Sequence, residues 1–285
     1  MKSREVVQKH IEISVSNEQL FQGHLVLIND QNPIRRQVQV HELESLDSLP
    51  SIKKLNKQML LEKQCFNQFH ALLKACGGTD DIVAVSAYRT KEDQVQIYQD
   101  CLIEQGSEYT SKYVALPDHS EHQTGLAIDV GKLKSNIDFI APSFPDTGIY
   151  KSFRQHAIQF GFILRYKQEK ESITRIAYEP WHFRYVGYPH SKIMEENNLC
   201  LEEYIDFVQQ YRYSGEQLTV KEKDMTIQIY YVPADKGISS HIPILSCDSY
   251  WISGTNREGV IVTTFSKLSY SNKDDLDISH FRRLL

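Results

Sequence analysis

Apolar residues between positions 52 and 76 recur at steps of three and four, the spacing that places side chains on one face of an α-helix. Gly77 and Gly78 follow, at a point where helices commonly end with a left-handed residue. The pattern predicts a long amphipathic helix, whose apolar face consists of Ile52, Leu55, Met59, Phe66, Phe69, Leu73 and Cys76.

Short apolar runs bounded by polar or turn-forming residues predict strands in the first 213 residues. Residues 25–28 are apolar and lead into the turn-forming residues 29–33, so we expect the fold to begin near Gly23. Further runs of this kind occupy residues 82–85, 126–130, 162–166 and 181–186.

Helices are predicted between these strands. The hydroxyl of Thr90 can accept a hydrogen bond from an amide two or three residues later, which is typical of a helix start. Arg89 therefore lies at a strand-to-helix junction. A second helix is predicted over residues 149–160, ended by Gly161, and a third over residues 201–213.

The pattern of apolar and polar residues changes after Gly215. Short runs rich in β-branched and aromatic residues follow, and a glycine-bounded loop at residues 254–259 is typical of a hairpin. The whole indicates an α+β fold with a small C-terminal β-rich appendage. We predict an N-terminal extension, a main domain and an accessory β-rich region over residues 1–20, 21–213 and 214–285.

Composition and charge narrow the class of protein. The 285 residues include 37 acidic and 32 basic side chains, for a net charge of −5, and the basic residues are scattered. This pattern disfavours a nucleic-acid-binding groove. No apolar run approaches the roughly 18 residues that a membrane span needs. The N-terminus lacks the features of a secretory signal, so we expect a cytoplasmic protein. The five cysteines include no Cys-x-x-Cys pair, which predicts reduced core thiols.

Two short segments concentrate side chains that bind metals: the ten residues from Ser120 to Asp129, and Glu-Pro-Trp-His ending at His182. Alternate residues of a strand share a face, so Asp129 shares its face with the small residues Gly125 and Ala127. The carboxylate therefore has open space in front of it, which a metal and a substrate need.

The second segment predicts a similar arrangement. His182 and Arg184 share one strand face, and the aromatic residues between and beside them share the other. Pro180 has no backbone N–H to donate to a strand ladder, so we expect the strand to begin after it and Glu179 to lie outside the strand.

Two imidazoles and one carboxylate form a catalytic zinc set, with a fourth position left for water. Glu179 would be close to the metal without binding it, and could move a proton from water to a leaving amine. The chemistry indicated is metal-assisted hydrolysis. A histidine seven residues before an aspartate also occurs by chance in many proteins, and a single histidine beside a strand is more often structural. The hypothesis depends on both segments together.

The sequences SEHQTGLAIDVG and EPWHFRYVG resemble the two signatures of the D-alanyl-D-alanine peptidases of the VanX, VanY and VanXY kind. SAYRTKEDQ and KYVALPDHS extend the resemblance, which covers roughly residues 20 to 212. These are zinc enzymes whose fold is shared with hedgehog-type domains, so the resemblance implies a central antiparallel sheet with flanking helices. With no membrane span expected, the cytoplasmic VanXY type, associated with glycopeptide resistance, fits best.

The resemblance also implies roles for individual residues. His122, Asp129 and His182 would bind zinc and Glu179 would be the general base, in agreement with the residue patterns. Arg89 would stabilise the oxyanion of the tetrahedral intermediate. The remaining implied contacts are with substrate: Ser120 and Gln94 would hold the terminal D-alanine, and Tyr88 would line the pocket unless it belongs to the core.

Asp118 departs from the pattern, because relatives commonly carry glycine there. The position suggests a left-handed backbone, which Asp tolerates better than most residues. As a turn residue it needs no further role, but its carboxylate could also attract the free ammonium group of a dipeptide.

The sequence therefore predicts a zinc D,D-peptidase acting on D-Ala-D-Ala, on cytoplasmic peptidoglycan pentapeptide precursors, or on both. Alternatives are an L,D- or endo-acting peptidoglycan peptidase, and a zinc-retaining binding module without activity. A pure binding module would have no need of Glu179.

Overall fold

A computed structural model gives the structure of the protein and describes residues 10–268. Residues 1–9 and 269–285 belong to the predicted N-terminal extension and accessory region, and those parts of the prediction lie outside the described residues. Within residues 10–268, no helix combines the length and the apolar character that crossing a bilayer requires.

The α-helices all lie before residue 209 and are interspersed with strands, and the described chain then continues in strands. The α-helices are α1 (Lys63–Cys76), α2 (Lys91–Tyr113), α3 (Gly148–Ala157), α4 (Glu171–Thr174), α5 (His190–Glu196) and α6 (Leu201–Val208). The strands are β1 (His10–Ser16), β2 (Leu43–Ser45), β3 (Lys53–Lys54), β4 (Leu60–Glu62), β5 (Ile82–Ser86), β6 (Ala127–Lys132), β7 (Phe162–Leu164), β8 (His182–Tyr185), β9 (Leu218–Lys221), β10 (Met225–Pro233), β11 (Ser239–Leu245), β12 (Ser249–Gly254) and β13 (Gly259–Lys267).

A five-stranded sheet in the order β3-β5-β6-β8-β7 carries the motifs found in the sequence. The strands β5, β6, β8 and β7 pair antiparallel, whereas the two-residue edge strand β3 pairs parallel with β5. Every residue of β5 and β8 is buried. With its helices and further sheets, the molecule has a mixed α/β architecture.

Aromatic side chains connect this sheet to the helices. Phe69 of α1 and Phe153 of α3 are fully buried with ring centres 6.4 Å apart, and the ring of Phe183 in β8 lies 4.9 Å from that of Phe153. Burying a side chain of this kind stabilises the fold by roughly 1.5–3 kcal/mol. Trp181 and Tyr185 lie in the same core, so the predicted aromatic face of β8 is confirmed.

The C-terminal strands form a four-stranded antiparallel sheet in the order β12-β13-β10-β9. Ile205 and Val208 of α6 share a hydrophobic core with Ile227 and Ile229 of β10. Strand β1, from the predicted N-terminal extension, pairs with β11 along its whole length. The β-rich region is therefore packed onto the helices and includes an N-terminal strand, while the boundaries at residues 20 and 213 stay predictions.

The helix predicted from Ile52 begins only at Lys63, so the first half of that prediction is wrong. The carboxylate of Glu62 accepts hydrogen bonds from the amides of Gln64 and Cys65 and caps the helix there. The preceding residues form the short strands β3 and β4. Ile52 is buried although it lies outside the helix. The three- and four-residue steps between Ile52 and the later apolar residues therefore do not reflect a shared helix face.

Residues 25–28 are buried, but they are not a strand as predicted. The amide of Leu25 donates to the hydroxyl of Ser253, and that of Leu27 to the carbonyl of Thr255. These two bonds reach the end of β12 and the loop that follows it, and they are not part of a strand ladder. The helix predicted over residues 201–213 ends at Val208, because the chain leaves it to hydrogen-bond with β10 through Tyr211 and Tyr231.

Other local predictions are confirmed. The hydroxyl of Thr90 accepts a hydrogen bond from the amide of Asp93 at the start of α2. Gly77 and Gly161 adopt the left-handed conformation, with φ of 70° and 81°. All five cysteines are free thiols, and only Cys247 is more than slightly exposed.

Candidate active site

Three elements bring His122, Asp129 and His182 together. His122 lies in a short 3₁₀ turn, Glu121–Thr124, immediately before β6. Asp129 lies within β6 and is paired with His182, the first residue of β8. All three side chains are buried, and one potential ligand atom from each lies within 4.8 Å of the others. The antiparallel register thus places two predicted ligands side by side, and the turn adds the third.

The ring nitrogens of both histidines are directed at Asp129. Nε2 of His122 lies 3.1 Å from Oδ2 of Asp129, and Nδ1 of His182 lies 2.9 Å from Oδ1. The Nδ1–H of His122 donates to the carbonyl of Ala87 at 2.7 Å, which leaves Nε2 with a free lone pair. A metal-binding histidine is commonly held in this way by its second nitrogen.

The residues fit a divalent metal. Oδ1 of Asp129 is buried and makes no hydrogen bond, although Nδ1 of His182 is so close. A buried carboxylate oxygen without a hydrogen bond is unfavourable unless another partner satisfies it. Two imidazole nitrogens and one carboxylate oxygen around a common point are the donors that catalytic zinc sites use.

Burial and the neighbouring charges shift the pKa values of all three proposed ligands. Burial, followed by the charge of Arg89, lowers the pKa of His122 to about 4. Burial also disfavours the charged form of His182, but the Asp129 carboxylate outweighs it and raises the pKa of His182 to about 9. For Asp129, burial is outweighed by the two imidazoles, which hold its pKa well below the usual range. Asp129 is therefore ionised, as a metal ligand must be.

Glu179 lies beside this cluster. Its Oε2 is 3.6 Å from Nδ1 of His182, and its side chain is buried. The backbone amide of Glu179 donates to the carbonyl of Tyr166, which fixes its position just before β8. Burial raises the pKa of Glu179 to about 8. A carboxylate with a pKa near neutrality can both accept and release a proton.

Arg89 reaches the same site from the junction between β5 and α2. Its Nη2 lies 3.1 Å from Oδ2 of Asp129, and its Nε donates to the hydroxyl of Ser86 at 2.8 Å. Nη1 donates to Oε1 of Gln94 at 3.2 Å. Three fixed contacts therefore hold the guanidinium over the cluster.

The remaining predicted residues divide into two groups. Ser120 and Arg89 line the cavity in front of the cluster. Gln94 is fully buried, and its amide group donates to the carbonyl of Ala115 while its oxygen accepts from Arg89. Gln94 thus lies behind Arg89 and not on the cavity wall.

Tyr88 and Asp118 are also absent from the lining of this cavity as described. Asp118 has the predicted left-handed backbone, with φ of 67°, and forms an ion pair with Lys91. The turn role of Asp118 is thus supported, while its attraction for an ammonium group stays a prediction.

The sequence patterns did not identify a buried ionic cluster behind the site. Glu121, Arg165, Arg184 and Glu202 are all buried, and Glu121 and both arginines have no exposed side-chain surface. Two signals were present: Glu121 lies next to His122 in the motif, and Arg184 shares a strand face with His182. Neither signal reveals that the four charges form one network of contacts.

Comparisons with known proteins agree with this geometry. The VanY family model, described as D-alanyl-D-alanine carboxypeptidase, matches residues 58–188. The chain is similar to the bifunctional D-Ala-D-Ala dipeptidase and D-Ala-D-Ala carboxypeptidase VanXYC of Enterococcus gallinarum. The two are 46% identical over 151 residues, 53% of this chain and 80% of the relative.

Two solved structures are also similar. The vancomycin resistance D,D-dipeptidase VanXYg, in complex with a D-Ala-D-Ala phosphinate analog, is 41% identical with a TM-score of 0.83, over 90% of this chain and 99% of that chain. A mutant of the vancomycin resistance D,D-pentapeptidase VanY from a VanB-type cassette, in complex with Zn(II), is 31% identical with a TM-score of 0.53. That match covers 64% of this chain and 98% of the other.

Proposed function

The chain belongs to the VanY family of D-alanyl-D-alanine carboxypeptidases, and from this premise we propose that it is a zinc-dependent D,D-peptidase. It is a hydrolase that acts on D-Ala-D-Ala, on peptidoglycan precursors ending in D-Ala-D-Ala, or on both, as in vancomycin resistance. The location of the protein in the cytoplasm and the hedgehog-like fold stay predictions.

The observation that carries this proposal is the convergence of His122, Asp129 and His182 in one buried cavity, with Glu179 beside them. A structural cluster of histidines would not need a carboxylate whose pKa is raised to about 8 in front of a cavity. This arrangement favours an enzyme over a metal-retaining binding module.

We assign His122 Nε2, Asp129 and His182 Nδ1 as the zinc ligands, because these atoms face a common point. When bound, zinc would supply Lewis-acid activation of water and polarisation of the substrate carbonyl. The protein holds the ligand atoms in place through the β6–β8 register and the hydrogen bond from His122 to Ala87.

Glu179 would accept a proton from the attacking water and deliver it to the leaving amine. Its buried carboxylate favours the protonated form more than an exposed one would, which suits a group that must hold a proton between two steps. Arg89 would face the negative charge that develops on the carbonyl oxygen. Its contacts to Ser86 and Gln94 mean that little reorganisation is required during the reaction.

The experiment that tests the proposal measures the free alanine, of either configuration, that zinc-loaded protein releases from each substrate. The substrates are D-Ala-D-Ala, an N-acylated peptide ending in D-Ala-D-Ala, L-Ala-L-Ala, and an N-acylated peptide in which an L-residue precedes the terminal D-alanine. We expect release from one or both D-Ala-D-Ala substrates and far slower hydrolysis of L-Ala-L-Ala.

Glu179→Gln is the matched control, because it keeps the shape of the side chain and removes the base. Preferred cleavage after the L-residue would instead support the L,D-peptidase. Tight zinc binding without release of alanine from any of these substrates would support the binding module.

A further inference from the structure

We propose that Glu121 is a positioning residue, whose carboxylate holds the imidazole of His182 through the ring nitrogen that does not face Asp129. The inference deepens the proposed function and rests on His182 being a metal ligand. Glu121 borders the same cavity as the proposed ligands and is proposed neither as a base nor as a ligand.

One carboxylate oxygen of Glu121 faces the ring nitrogen of His182 that is turned away from Asp129. Oε2 of Glu121 lies 3.6 Å from Nε2 of His182. Both atoms are buried, and neither has a hydrogen-bond partner among the described residues. Buried polar atoms are nearly always paired, because an unpaired one has lost its hydrogen bonds to water without replacement. The separation is just beyond hydrogen-bond distance.

Two arginine side chains hold the carboxylate of Glu121 in place. Its Oε1 accepts hydrogen bonds from Nε of Arg165 at 2.8 Å and from Nη1 of Arg184 at 2.7 Å. Two guanidinium groups thus fix one carboxylate oxygen and leave the other directed at His182. The carboxylate has no exposed surface, so solvent does not compete for the free oxygen.

The arginines are themselves anchored. Arg165 makes two parallel hydrogen bonds to Glu202 of α6, at 2.7 and 2.9 Å. Arg184 donates to the backbone carbonyls of His24 and Val26. Two arginines face two glutamates, so the cluster is electrically balanced. Buried charges are tolerated when they are paired and hydrogen-bonded in this manner.

The physical consequence concerns the tautomer of His182. A carboxylate facing Nε2 keeps the proton on that nitrogen, which leaves the lone pair of Nδ1 for a metal and makes the imidazole a stronger ligand. His122 is held equivalently by the carbonyl of Ala87. Each imidazole therefore has its own partner behind it, and for His182 that partner carries a full charge.

The test compares Glu121→Gln with Glu202→Gln. Each variant removes one carboxylate from the same cluster, and each leaves Arg165 short of one partner, but only Glu121→Gln alters the group facing His182. Zinc affinity is measured by competition with a chelator, and ligand geometry by the visible absorption spectrum of the Co²⁺-substituted protein. Thermal unfolding of both metal-free variants reports their stability.

We expect Glu121→Gln to weaken zinc binding by about 10- to 100-fold and to change the Co²⁺ spectrum. Glu202→Gln should lose stability but keep the zinc affinity and the spectrum of the wild type. Equal zinc affinities and identical spectra for the two variants would overturn the inference. Wild-type protein that neither binds zinc nor releases D-alanine would instead overturn the proposed function.

A measurement on the wild type covers the case in which Glu121→Gln does not fold. Nitrogen-15 NMR of the zinc-loaded protein distinguishes the protonated ring nitrogen of each bound histidine. The inference requires a proton on Nε2 of His182 and metal on Nδ1. The opposite arrangement would refute it without any variant.

Discussion

Asp129 and His182 are paired residues on neighbouring antiparallel strands, and Oδ1 of Asp129 lies 2.9 Å from Nδ1 of His182. The backbone hydrogen bonds of the sheet therefore fix the separation of two proposed ligands before any metal binds. Sites built on strands are held more accurately than sites built on loops. The buried aromatic face of β8 adds to this rigidity, because Phe183 is fully buried in the core.

The first prediction concerns metal content. His122→Ala, Asp129→Ala and His182→Ala should each reduce bound zinc strongly, because each removes one of the three proposed protein ligands. Glu179→Gln should keep its zinc, since Glu179 lies beside the cluster and is not proposed as a ligand. Zinc per chain is measured by atomic absorption after dialysis. Full zinc occupancy in His122→Ala would eliminate the proposed ligand set.

The second prediction concerns the proton transfer. Glu179→Gln should lower turnover by about 10²- to 10⁴-fold, the range that a general base contributes. Binding of a phosphinate analog of D-Ala-D-Ala, measured by calorimetry, should remain detectable because the zinc ligands are intact. A variant with near-normal kcat would show that another group accepts the proton.

The third prediction concerns Arg89. Arg89→Lys should lower kcat by about 10- to 1,000-fold with little change in zinc content or KM, because lysine cannot reproduce the planar guanidinium fork. Steady-state kinetics separate the two parameters. A rise in KM with unchanged kcat would place Arg89 on the substrate carboxylate instead, and unchanged values of both would leave it a structural role only.

The fourth prediction separates two roles for Gln94. Its amide contacts Arg89 and the carbonyl of Ala115, so Gln94→Met should lower kcat less than Arg89→Lys does and leave KM unchanged. Such a result would mean that Gln94 acts by orienting Arg89. If Gln94 instead contacts the terminal D-alanine, as the family resemblance implies, KM should rise.

The fifth prediction concerns stability and pH. His190 is buried, its Nδ1 lies 2.7 Å from the hydroxyl of Tyr204 and its Nε2 lies 3.0 Å from that of Thr263. Burial lowers the pKa of His190 from 6.5 to about 3. As the pH falls below 6.5, the unfolded chain therefore takes up a proton that the folded protein does not.

This difference should cost about 2 kcal/mol of the free energy of unfolding between pH 7 and pH 5. His190→Gln removes this titration and should show a smaller loss over the same range. Urea unfolding of both metal-free proteins at the two pH values measures it. Parallel losses would show that His190 does not contribute.

Local patterns of the sequence determined much of the site. Strand alternation predicted which face of β8 is aromatic, and the Thr90 hydroxyl predicted the start of α2 and thus the junction that holds Arg89. These features depend on residues a few positions apart, whose relative directions follow from backbone geometry alone. The proposed metal-binding side chains could be predicted for the same reason, since each segment carries its chemistry within ten residues.

Only the tertiary structure decided which distant residues complete that site. Glu121 contacts Arg165 and Arg184, which are 44 and 63 residues further along the chain. Likewise, β1 pairs with β11, and part of the segment expected to begin a helix at Ile52 instead forms β3 and β4, which pair with β5 and β2. A buried charge or a strand edge is satisfied by whichever group the packed fold brings near it, and periodicity within one segment carries no information about that partner.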